Sequence, residues 1–116
     1  MASGWWIVAA LAVAAAPAQT PDAAAVAAGR KIYTAEKCFT CHQVAGQGNQ
    51  RFPLDGVGSR LTAAEIRRWF THTAEMEARL PRRPAIRMSA KTYKFSAIEL
   101  DALVAYLRSL KAPGPS

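Results

Sequence analysis

The chain predicts an all-α fold of three to four helices whose long loops wrap around something other than polypeptide. Three observations carry this: two capping boxes each followed by apolar residues at helical spacing, the lack of any convincing run of alternating residues, and too much loop for so short a chain. The 116 residues suit one small domain. A (β/α)8 barrel does not fit in that length, and two cysteines are too few for a disulfide-dense scaffold or a four-thiolate zinc site. Apolar residues make up 51% and charged residues 20%, which argues for a globular chain rather than wholesale disorder.

The elements follow in order. Residues 1–18 read as a secretory signal peptide, with an uncharged run from Trp5 to Ala16 and the small-x-small site Ala16-Pro17-Ala18. That run is shorter than the roughly 20 residues a spanning helix needs, so no permanent membrane anchor is expected. The segment before the run carries no Lys or Arg, a departure from the usual export pattern. Residues 19–116 then form a single domain with its core at about 27–111, and they keep the whole net charge of +7, from 15 Lys and Arg against 8 Asp and Glu.

Thr20-Pro21-Asp22 has the chemistry of a helix start, so a first helix is expected over 21–37 with Val26, Gly29, Ile32 and Tyr33 facing inward. Residues 43–61 hold four glycines and Pro53 without periodicity, and read as a loop. Thr62-Ala63-Ala64-Glu65 is a capping box opening a second helix over 63–73, with Ile66, Trp69 and Phe70 on its apolar face. Pro81 and Pro84 mark a second irregular stretch over 74–95, with a helical turn near 75–79. Ser96-Ala97-Ile98-Glu99 opens a last helix with Leu100, Leu103, Val104, Leu107 and Leu110 as its stripe, ending before Pro113.

Cys38-Phe39-Thr40-Cys41-His42 reads C-x-x-C-H, the attachment signature of c-type haem. Two thiols three residues apart at a helix end reach the two vinyl groups of a protoporphyrin and form thioethers, and the next residue presents an imidazole to the iron. One covalent haem c would also fill the centre that so few helices cannot. The alternatives are weaker on the residues. A thioredoxin-like dithiol needs a preceding strand, a zinc site has only His72 left to recruit, and a plain Cys38–Cys41 disulfide explains neither the adjacent His nor the long loops.

With these residues the chain resembles the class I c-type cytochromes, small monohaem electron carriers. The likeness spans about residues 27–111 and is carried by GRKIYTAEKCFTCH, FPLDGVGSRLTAAEIRRWF and SAIELDALVAYLRSLK. It implies a cytochrome c-like fold in which the first and last helices cross closely through Gly29, Tyr33 and the patch Leu103 to Leu107. It also implies that Pro53 offers its carbonyl to His42 and that Met88, in the loop before the last helix, is the second axial ligand. Met76 and His72 remain rivals for that place. The family commonly follows its ligand Met with Pro, whereas here Ser89 follows Met88 and Arg87 precedes it. Arg60, Tyr93 and Trp69 are candidates for propionate hydrogen bonds, and Trp69 and Phe70 for packing on the porphyrin, against the plainer reading of such aromatics as core.

The resemblance implies an electron carrier rather than an enzyme, since a His/Met-ligated iron has no open site, and the cleaved signal peptide implies a periplasmic location. The charge of +7, with Arg79, Arg82, Arg83, Arg87, Lys91 and Lys94 around Met88, suggests redox partners with acidic docking surfaces. An exported protein has no call on nucleic acid, and a monomer suits a shuttle. The rival classes are a haem enzyme or a gas- or peroxide-binding haem protein with an open distal site, a thiol oxidoreductase, and a dedicated cytochrome subunit of a dehydrogenase or oxidase.

Overall fold

A computed structural model describes residues 3–11 and 22–112. Residues 3–11 have no regular secondary structure, and Trp5, Trp6, Ile7, Val8 and Leu11 are exposed. The expected cleavage site and the Thr20-Pro21 helix start lie outside the described residues. Among those residues there are five α-helices: α1 (Ala23–Ala35), α2 (Val57–Arg60), α3 (Ala63–Thr71), α4 (Thr73–Ala78) and α5 (Ala97–Ser109). None of them is long and apolar enough to cross a membrane.

Helix α1 is shorter than expected at both ends. Asp22 is its cap, its carboxylate accepting the Ala24 N–H at 3.1 Å. At the other end Lys37 takes a left-handed φ of 56°, which stops the helix and swings the chain into a 3-10 turn over Cys38–Thr40. The stretch expected to be pure loop instead contains a small sheet, β1 (His42–Val44), β2 (Gln47–Gly48) and β3 (Phe52–Pro53), in the order β2-β1-β3. β1 pairs antiparallel with β2 and parallel with β3, where His42 lies opposite Phe52 and Gln43 opposite Pro53. Strands of two or three residues are too short to print an alternation in the sequence. The β1–β2 turn is Ala45-Gly46, both at positive φ as a two-residue hairpin demands. The Asp55 carboxylate fixes that turn by accepting the Ala45 N–H at 2.8 Å.

Both capping boxes form as expected. Thr62 and Glu65 bond each other's backbone N–H at 3.1 Å, and Ser96 and Glu99 do the same at 3.1 and 3.2 Å. The second helix is not one element over 63–73, because it breaks at His72. There the Thr71 and Thr73 hydroxyls turn back onto the Arg67 and Trp69 carbonyls, an arrangement that bends helices, and α4 restarts over the turn expected near 75–79.

The core lies where α1 crosses α5. A Cβ at Gly29 would sit 2.0 Å from the Ala102 carbonyl oxygen, so only glycine permits this approach. Beside it Tyr33 and Tyr106 pack with ring centroids 5.5 Å apart, and Leu103 is the most deeply buried side chain. Of the expected α1 stripe, Gly29 and Tyr33 are buried, while Val26 and Ile32 are half-buried against the cluster. Helix α3 joins α5 through Ile66 and an Arg67–Asp101 ion pair. α2 docks on the end of α5, where Arg108 donates to the Gly58 and Leu61 carbonyls at 2.9 Å each.

Candidate haem site

The left-handed residue Lys37 starts the 3-10 turn, and Cys41 N–H closes it on the Cys38 carbonyl at 3.1 Å. Cys38 and Cys41 are half-buried free thiols that, with His42, line one cavity of about 770 Å³. That volume falls within the roughly 300–1,000 Å³ of ligand and cofactor pockets. The turn is pinned from behind by Asn49, whose N–H reaches the Phe39 and His42 carbonyls at 3.0 and 2.9 Å. Gly48 permits this, since it adopts φ 106° and a Cβ there would lie 2.2 Å from the His42 oxygen.

His42 Nδ1 lies 2.9 Å from the Phe52 carbonyl oxygen. A carbonyl only accepts, so Nδ1 carries the proton and the Nε2 lone pair is left for a metal. The expected partner carbonyl was that of Pro53. The parallel pairing sets His42 opposite Phe52, which puts the bond one residue earlier. Burial holds the imidazole below its ordinary pKa, against the opposing effect of the Phe52 bond, so the neutral form a metal needs is favoured. Burial likewise pushes the Cys38 thiol up, with Lys91 pulling the other way.

Met88 heads a second 3-10 turn, Met88–Ala90, is half-buried and lines the same cavity. The rivals do not line it. Met76 is buried outside the lining, and His72 is exposed with its ring bonded to the Thr71 hydroxyl at 2.8 Å. Two contacts that the sequence does not announce hold the Met88 turn. The Glu77 carboxylate takes both the Ser89 N–H and the Ser89 hydroxyl at 2.6 Å, and Lys91 reaches Glu36 at the end of α1, its carbonyl at 2.7 Å and its carboxylate at 3.4 Å. Glu77 sits five residues past a break no periodicity marks; only its sharing α4 with a buried Met76 hints that it faces inward.

Trp69, Phe70, Tyr93 and Arg60 also line the cavity. Phe70 meets Tyr93 edge-on at 5.5 Å, and Tyr93 stacks on Phe95 at 5.8 Å. Arg60 is exposed and spends one guanidinium nitrogen on the Asp55 carbonyl at 3.0 Å. Five core residues, Tyr33, Val57, Ile66, Leu103 and Leu107, line the cavity as well, so the hydrophobic core opens directly onto it. The Tyr33 hydroxyl is buried with no hydrogen-bond partner among the described residues, and burial pushes its pKa up to about 12. An orphaned donor in the cavity wall, two thiols and a correctly protonated imidazole on one turn, and an apolar, aromatic lining all fit a haem. Among the described residues no cluster of three or more His, Cys, Asp or Glu is gathered for a metal ion on its own, and a helix rather than a strand precedes the C-x-x-C turn.

A helical fold whose core opens onto a C-x-x-C-H turn defines a protein that carries covalently attached haem. Residues 26–111 match the family Cytochrome c, so the chain belongs to the cytochrome c family and is a haem-binding c-type cytochrome of class I, with Cys38 and Cys41 fitting its attachment motif. Searches of curated proteins and of solved structures gave no match.

Proposed function

We propose that this chain is an electron carrier in which Cys38 and Cys41 anchor the haem and His42 and Met88 hold its iron from the two axial positions. The observation that carries the reading is that Met88, and neither Met76 nor His72, lines the cavity that His42 lines. The haem supplies an iron that cycles between ferrous and ferric states. The chain's own residues do the rest. The Phe52 carbonyl orients His42, the aromatic and apolar wall excludes water, and a thioether in the remaining position leaves no open site for substrate.

The partners are redox proteins with acidic docking surfaces, met in brief, weak complexes. Support for this comes from the net charge of +7 and from exposed Arg79, Arg82, Arg83, Arg87, Lys91 and Lys94, of which Arg87 and Lys91 line the cavity. The apolar leader supports export to the periplasm, where the domain acts as a monomer.

The test is the visible spectrum and equilibrium redox titration of the haem-loaded protein beside Met88→Ala and Met76→Ala. A methionine-to-iron band that disappears only in Met88→Ala, with a lowered reduction potential, supports the reading. Five-coordinate iron in the parent protein, or a band indifferent to Met88→Ala, replaces it with an open-site haem enzyme or gas-binding protein.

A further inference from the structure

Glu77 is the one charged residue buried among the described residues, and none of their three ion pairs includes it. Burying a carboxylate outside any direct ion pair is costly unless hydrogen bonds replace its water, and here Arg87 and Arg83 favour the charge only from a distance. Both of its bonds go to a single residue, Ser89, and both are short. Ser89 immediately follows Met88, and Glu77 itself lines the haem cavity. The carboxylate therefore spans from α4 to the Met88–Ala90 turn at Ser89, whose N–H belongs to the peptide that joins it to Met88.

We propose that Glu77 is a positioning residue that holds the Met88 thioether to the iron by clamping Ser89 through its N–H and its hydroxyl. This rests on Met88 being the axial ligand. The clamp supplies by hydrogen bonding the rigidity that a proline after the methionine would supply by ring closure, and serine, unlike proline, offers both a backbone and a side-chain donor at that position. Releasing the clamp leaves the turn free to move and the thioether more often away from the iron.

The experiment is imidazole titration of the haem-loaded ferric protein, because imidazole must displace the thioether and its apparent affinity reads the population in which the thioether has left. Glu77→Gln and Ser89→Ala are each expected to tighten imidazole binding by about tenfold and to weaken the methionine-to-iron band. The double variant should add little to Glu77→Gln, since Ser89→Ala removes one of the two hydrogen bonds that Glu77→Gln already weakens. A Glu77→Gln protein that melts earlier while its imidazole affinity and band stay unchanged would overturn the proposal, because a purely structural carboxylate does that. If Glu77→Gln does not load haem, Ser89→Ala carries the same two outcomes alone. Met88→Ala measured in parallel separates the failures: an unchanged band and affinity there sink the axial assignment itself, whereas a change there with none in the clamp variants sinks only the clamp.

Discussion

The chemistry of the site turns on single atoms whose partners are backbone groups, and that limits what a sequence can say about it. Cys38, Cys41 and His42 are legible because their spacing is the chemistry. The carbonyl that orients His42 is not, since it belongs to Phe52 and is chosen by strand register rather than by any side chain; the reading that put it on Pro53 misses by one residue for that reason. Glu77 is similarly silent, as one of several acids until the fold buries it. Its carboxyl lies below the usual carboxylate value because the Ser89 hydroxyl, and then the Ser89 N–H, bond the charged form, with Arg87 and Arg83 adding to this and burial opposing. A depressed folded value means the unfolded chain binds more protons in acid. The stability Glu77 contributes is thus complete above the unfolded carboxylate value of about 4.3 and is lost as pH falls through the lower folded value. Thermal melts of the haem-loaded parent and of Glu77→Gln should differ most near neutral pH and converge in acid. A gap that stays constant with pH would show that the charge of Glu77 contributes nothing.

At the scale of elements, helices announce themselves and the sheet does not. The two capping boxes are local chemistry, side chain to backbone three residues away, so Thr62–Glu65 and Ser96–Glu99 appear where their letters stand. The break at His72 depends on where two threonine hydroxyls turn, and the β1–β3 pairing joins residues ten apart through backbone alone, so neither leaves a periodic trace. The crossing of α1 over α5 lies between these cases. Gly29, Tyr33 and Leu103 to Leu107 are expected there from the family resemblance, and the 2.0 Å approach of a virtual Cβ to the Ala102 carbonyl gives the physical reason. Because that neighbour is helix backbone, it cannot rotate aside as a flexible side chain would. Gly29→Ala must therefore push the helices apart, at a cost of about 3 kcal/mol typical of severe overpacking. Denaturant unfolding of the haem-loaded protein followed by circular dichroism checks this. The gain in helix propensity from alanine, about 1 kcal/mol, is too small to offset the clash, so a Gly29→Ala protein as stable as its parent would mean the helices do not cross as described.

Across the whole molecule, the thin core and the cofactor are one structure, since five of the core's residues also face the cavity. That much follows from the sequence, where the mismatch between few helices and long loops asks for a non-polypeptide centre. Charge is the other whole-molecule property legible at once, but a net +7 does not say where the field is strongest. The exposed cations before α5 answer that in part, with Arg87 among the residues that line the cavity and Lys31 on α1 not among them. If electrons pass at the cavity mouth, as the proposed carrier function requires, a small anionic oxidant should react more slowly as salt is added and a small cationic one faster. Equal signs for both reagents would mean that exchange occurs away from the positive field. Single neutralisations then separate total charge from local charge. Arg87→Gln and Lys31→Gln remove the same unit from the whole, so a field set by net charge predicts equal losses in the salt slope. At about 0.1 M salt the screening length is only about 10 Å, so a cation on the cavity lining should count for more than one that is not. Stopped-flow oxidation of the reduced protein across a salt series should therefore show a flatter slope for Arg87→Gln than for Lys31→Gln, and matching slopes would return the steering to the molecule's total charge.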